Sequence, residues 1–63
     1  MQPHQQRVVD EKSELDGKIT KLTAFIGGDI FKSLEHRDQE LLGQQLVHMR
    51  SYSETLSLRI ERF

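Results

Sequence analysis

The sequence predicts an all-α protein: an antiparallel two-helix hairpin with a short helical turn at the connection, assembled into a homo-oligomer. Three observations predict it. Apolar residues recur at helical spacing in two long stretches, a Gly-Gly pair separates those stretches, and the chain carries more apolar side chains than one hairpin can cover. Its 63 residues form a single domain, 1–63, with no internal repeat, low-complexity tract or linker.

The first helix is traced by Val8, Leu15, Ile19, Leu22 and Ile26, whose steps of seven, four, three and four follow one side of a helix. Pro3, the sole proline, is tolerable in a first turn because its missing N–H would be unpaired there anyway. Gly27-Gly28 is expected to end the helix through the left-handed conformation that glycine readily takes. Asp29 is then expected to cap a short turn carrying Ile30, Phe31 and Leu34, whose bulk plugs the end of the hairpin.

The second long helix starts between Glu35 and Asp38, where acids favour a helix N-terminus through its dipole. Its stripe is Leu42, Leu46, Met49, Leu56, Ile60 and Phe63, and Leu41, Tyr52 and Leu58 widen the apolar surface beyond one seam. Two helices of about 24 residues would each be about 36 Å long. A short connection makes them antiparallel neighbours.

A chain this short buries only about 60% of its unfolded surface and usually needs a disulfide, a metal or a partner. There is no cysteine, and His4, His36 and His48 show no ligand spacing, so no metal site is expected. Association between chains is the remaining stabiliser. Val9, Phe25, Leu41, Tyr52 and Leu58 are the residues expected to face another subunit.

Charge excludes other roles. Nine basic and ten acidic residues are mixed along the chain, for a net charge of −1, so there is no basic stripe for polymeric nucleic acid. No apolar run approaches the roughly 20 residues of a membrane span. The start, Met1-Gln2-Pro3-His4, has neither the charged nor the apolar region of a secretory signal, which fits a cytoplasmic protein.

Catalysis finds little support. The carboxylates sit at ordinary helix-surface spacing, and Glu14 lies four before Lys18, which reads as an i,i+4 ion pair. Serines stand at 13, 33, 51, 53 and 57, none with a histidine at helical spacing and an orienting acid. His48 and Tyr52, four apart, read as packing. Neither an enzyme nor a cofactor is expected.

Anion binding is better supported. Arg7, Glu11, Lys18 and Phe25, at steps of four and seven, line one edge of the apolar stripe. There the stem of Lys18 can lie along apolar surface and present its ammonium. Tyr52 and Arg59 are seven apart with Leu56 between them, and an aromatic face beside a guanidinium suits a base plus a phosphate. The same spacing is equally that of an interface aromatic with a solvated flank. Gly17 and Gly43 interrupt otherwise good helices, which leaves open close helix approach, room for a ligand, or simple tolerance at exposed positions.

Read in order, "QRVVDEKSELDGKITKLTAFI", "F..L....QELLGQQLVHM" and "YSETLSLRIERF" resemble the short hairpin domain of phage anti-defence sponges. These are the anti-CBASS and Thoeris anti-defence proteins, which sequester the cyclic-nucleotide alarm signals of bacterial immunity. The resemblance covers Pro3 to Phe63. It implies a homo-oligomer, typically a hexamer, with pockets shared between protomers. One pocket type takes cyclic dinucleotides, and a separate symmetric one takes cyclic trinucleotides.

By position, Lys18 and Thr20 look like the family's lysine and threonine near the dinucleotide phosphates, with Lys21 and Thr23 as the alternative pair. His4 falls where the family has a base-stacking aromatic, a departure that weakens that grip. Arg59, with Ser57, looks like the arginine of the trinucleotide site, and both are expected toward the same open end as Lys18. Such a sponge would act in the host cell cytoplasm, if the chain is viral, without cleaving its ligand. The competing reading is a small coiled-coil scaffold or assembly protein with no small-molecule ligand, which would leave Lys18 and Arg59 in water. A DNA-binding regulator is disfavoured by the balanced charge and the lack of a recognition-helix turn.

Overall fold

Pro3 sits at the first position of a helix whose entry is fixed by a reciprocal contact, the side-chain oxygen of Gln5 accepting the Gln2 N–H at 2.9 Å. From there the computed structural model, which describes all 63 residues, runs through three helices and no strand. They are α1 (Pro3–Ile26), α2 (Asp29–Ser33) and α3 (His36–Glu61). The two long helices lie antiparallel, and α2 is a short bridge across one end. The start of α3 follows Glu35, within the expected window.

The helix ends differ from expectation. No residue, glycine included, has a positive φ. Gly27 keeps near-helical angles (φ −78°, ψ −4°) and its N–H still bonds the Thr23 carbonyl at 3.2 Å. Gly28 then turns extended, at φ −97° and ψ 177°, and serves as the residue before α2. The break is therefore a tightening of the last turn followed by an extended residue, with no left-handed cap needed. Asp29 makes no capping hydrogen bond; it is the first residue of α2, 3.9 Å from the Lys32 ammonium.

The connection is tied down by α3. The Gln39 amide nitrogen donates to the Phe31 and Leu34 carbonyls, each at 3.0 Å, and stands 3.4 Å from the Lys32 carbonyl. These carbonyls close α2, where orphan acceptors are left by any helix end. Phe31 packs edge-on against Phe25, ring centroids 6.5 Å apart and planes at 84°. Of the three residues expected to plug this end, Phe31 and Leu34 are half-buried, but Ile30 is 66% exposed. A helix of five residues has only one side against the hairpin, and Ile30 is on the other.

The core is a thin seam. Val8, Leu15 and Leu56 form it, with Ile19, Met49 and Ile60 packed against them, and Leu46 is buried nearer the connection. Leu56 alone is nearly inaccessible, at 1% exposure, and its burial stabilises on the order of 2 kcal/mol. Phe63, read as the last residue of the stripe, is 46% exposed, because α3 ends at Glu61. The molecule measures 46 × 14 × 13 Å with a radius of gyration of 14.5 Å, against about 11 Å for a globule of this length.

Candidate functional site

At the level where the two apolar stripes skip a position, three polar side chains meet. The Lys12 ammonium lies 2.6 Å from one Asp16 oxygen and donates to the Ser53 hydroxyl at 3.1 Å. The Ser53 hydroxyl donates to the other Asp16 oxygen at 2.5 Å. Ser53 is the single buried polar residue of the chain, and no buried polar side-chain atom lacks a partner. The hydrogen bond from Lys12, then that from Ser53, holds the Asp16 carboxyl below its ordinary 3.8.

This cluster was not anticipated from the sequence, which pointed to Glu14–Lys18 as the i,i+4 ion pair. That pair does not form; the i,i+4 bridge of α1 is Lys12–Asp16 instead. Lys12 stands on the helix side facing α3, where a carboxylate and a hydroxyl are both in reach. The Lys12 side chain donates to both the Asp16 carboxylate and the Ser53 hydroxyl, so the three groups satisfy one another across the hairpin. The cluster is a structural contact.

The residues read as ligand contacts fall at two levels of the rod. Setting the Lys12–Ser53 contact as a common level, Lys18 lies six residues toward the connection and Arg59 six residues toward the chain ends. At 1.5 Å per residue they stand about 18 Å apart along the axis, not together at the open end as the sequence led us to expect. His4, Arg7, Ser57 and Arg59 share the end that holds both termini; Lys18, Thr20 and Lys21 share the half nearer the connection. His4 and Lys18, fourteen residues apart on one helix, are separated by about 21 Å, so one chain cannot bring them to one ligand.

Angular position refines the α1 set. Lys18 and Thr20, two apart, point to nearly opposite sides, and the Thr20 hydroxyl is turned back onto the Asp16 carbonyl at 3.0 Å. Lys18 and Lys21, three apart, are neighbours on one exposed face, and Phe25, itself exposed, continues that face four residues on. Lys18, Lys21, Arg7 and Arg59 take part in none of the four ion pairs of the chain. Ser57 is half-buried and Arg59 exposed, again two apart on diverging sides.

Tyr52 is elsewhere. It closes one end of an open groove of about 490 Å³ on the outer surface of α3, lined by Leu41, Gln44, Gln45, His48, Met49 and Tyr52. Gly17 and Gly43 meet nothing within 4 Å of where a Cβ would stand, so neither brings the helices of this chain together. No group of three or more His, Asp or Glu residues is placed to hold a metal ion, and no helix is long and apolar enough to cross a membrane.

Comparison with known proteins adds the lineage. The chain is 38% identical over 63 residues to an uncharacterized 7.5 kDa protein of Enterobacteria phage T4 from the denB–rIIB intergenic region, an alignment covering all of this chain and 98% of the phage protein. No solved structure matches it. A family model described as Sequestin matches residues 2–62, essentially the whole hairpin, and the chain belongs to the Sequestin family.

Proposed function

We propose that this protein is a phage anti-defence sponge that binds cyclic oligonucleotide immune signals and holds them without cleavage, working as a homo-oligomer in the host cytoplasm. The family name itself denotes sequestration, and the relative is a phage protein of nearly the same length. The observation that carries the ligand class is the exposed α1 face on which Lys18 and Lys21 present two ammoniums free of any carboxylate, beside the ring of Phe25. Cations and an aromatic face together suit phosphates and a base.

Surface area supports association. The chain exposes 4913 Å², where a folded monomer of 7.4 kDa exposes about 4,200 Å². Five buried residues are too few to stabilise a free hairpin, and Phe25, Leu41, Val47, Tyr52 and Leu58 stay exposed. Assembly also resolves the spacing problem, since a cyclic dinucleotide with two related phosphates fits a two-fold interface that offers each phosphate the same cation. His4 from one protomer could then meet Lys18 from another.

A sponge acts by mass action and needs tight binding; nanomolar affinity corresponds to about −12 kcal/mol. The test is a thermal-shift panel of cyclic di- and trinucleotides on the wild-type chain, because a ligand that binds only the folded state raises its melting temperature. A rise with one class and not with linear mononucleotides supports the reading. If no cyclic nucleotide shifts the transition, the ligand reading fails and a scaffold without small-molecule ligand takes its place.

A further inference from the structure

The α3 groove has a specific architecture. Leu41, Gln45 and Met49 form one i,i+4 ridge and Gln44, His48 and Tyr52 the next, so the groove is the furrow between two ridges of a single helix. One helix supplies both walls, and the furrow stays open to solvent, so it cannot enclose a small ligand, most of whose surface a pocket must cover. A furrow between i±4 ridges is instead the shape that a ridge of another helix fills. Nothing in this chain fills it: Leu41 is 44% and Tyr52 46% exposed.

Charge says which helix. Leu41 to Met49 is a run of nine residues without an aspartate, glutamate, lysine or arginine, the longest in a chain of otherwise mixed charge. A face turned to water, or to a charged partner, would carry charge of its own. A contact across a two-fold axis sets each face against its own copy, so ionised groups at its centre would repel. Carboxamides escape that constraint, since each both donates and accepts. Gln44 and Gln45 sit at the middle of the groove.

We infer that α3 pairs with α3 of a second copy, antiparallel, through this groove. The inference rests on the oligomeric reading above and names the face that serves it. A two-fold axis at the groove's midpoint, between positions 46 and 47, sets Leu41 opposite Tyr52, Gln44 opposite Met49 and Gln45 opposite His48 of the other copy. At that register no charged residue between Arg37 and Leu56 stands opposite another. The apolar pairs close the two ends of the contact and the amides occupy its centre.

The chain has no cysteine, so engineered thiols report the register directly. In a Leu41→Cys/Tyr52→Cys double variant the two thiols lie about 16 Å apart on their own helix, beyond the roughly 7 Å that a disulfide tolerates between Cα atoms, so only two copies can link. Mild oxidation is expected to give a species of twice the chain mass for the double variant and none for either single variant, with the helical circular dichroism of the wild type. A Leu41→Glu variant is expected to lower the sedimenting mass, while Glu54→Lys, exposed on α3 but outside the groove, leaves it unchanged. If the wild type sediments as an oligomer yet the double variant links no better than the singles, and Leu41→Glu sediments like the wild type, another face makes the interface and the inference alone is overturned. A wild type that sediments as a monomer overturns the oligomeric reading and this inference with it.

Discussion

The Ser53 hydroxyl of α3 reaches across the hairpin to the Asp16 carboxylate of α1, and the Lys12 ammonium braces both. The two apolar stripes each contain one gap of seven, from Val8 to Leu15 and from Met49 to Leu56; the positions skipped at helical spacing are Lys12 and Ser53. The gaps face one another, so a seam of aliphatic contacts is interrupted by one polar layer. Sliding either helix by a heptad would set Lys12 against Leu46 or Ile60 and Ser53 against Gln5 or Ile19, parting the hydroxyl from Asp16. A single polar layer of this kind fixes register at some cost in stability.

Ser53→Ala removes the hydroxyl and leaves the Lys12–Asp16 bridge in place. The expected loss is about 1–2 kcal/mol, because the hydroxyl makes two hydrogen bonds, each worth about 1 kcal/mol net. Urea unfolding measures it, at matched protein concentration because assembly contributes to apparent stability. An unchanged midpoint would show that the layer contributes nothing to the fold.

Acid should weaken the same layer. The Asp16 pKa is lower in the folded chain than its ordinary 3.8, so the stability it contributes is complete above that value. It is lost as pH falls below 3.8 through the folded-state value. Asp16→Asn should therefore melt below the wild type near neutral pH, and the two melting temperatures should converge in strong acid. A gap that stays constant with pH would mean that the carboxylate's charge is irrelevant to the fold.

Lys18→Ala should weaken cyclic dinucleotide binding while the oligomer persists. Losing a charge-assisted hydrogen bond costs about 1.5–3 kcal/mol, roughly 10- to 100-fold in affinity. Because Lys21 shares the face, Lys21→Ala should show a loss of the same kind. Calorimetry giving wild-type affinity for both variants would remove this face from the site.

Arg59→Ala should impair cyclic trinucleotide binding and spare cyclic dinucleotides. Lys18 and Arg59 stand about 18 Å apart along the axis, so one protomer does not bring both cations to one ligand. Titrations of both ligand classes against both variants check the separation. Equal losses of both classes in Lys18→Ala and Arg59→Ala would mean one shared pocket.

The helices were legible because the stripes keep their period from Val8 to Ile26 and from Leu42 to Phe63, and the exposed surplus at Phe25, Leu41, Tyr52 and Leu58 followed from counting one hairpin's faces, whereas Val9, counted with them, is half-buried. The Lys12–Asp16–Ser53 layer was legible in principle, as two facing gaps in the periods. It went unread because a polar residue inside a stripe looks like a lapse until its partner across the seam is known. The glycine cap was misjudged because Gly-Gly permits a left-handed residue without requiring one, and the Thr23 carbonyl held Gly27 in helical geometry. Lys18 and Thr20 diverge in angle within one chain, since two residues along a helix is half a turn, a relation that side-by-side sequence positions hide.

Gln39 has a consequence for how copies of the chain can exchange parts. A helical hairpin can open at its turn into one long helix and close again on a second molecule, trading arms between partners. That route requires residues 27–35 to straighten, and the Gln39 amide holds the carbonyls of Phe31 and Leu34 in the bent form. The bent form is thus favoured within the single chain. In the assembly proposed above, copies would then dock as finished hairpins and would not have to unfold to join.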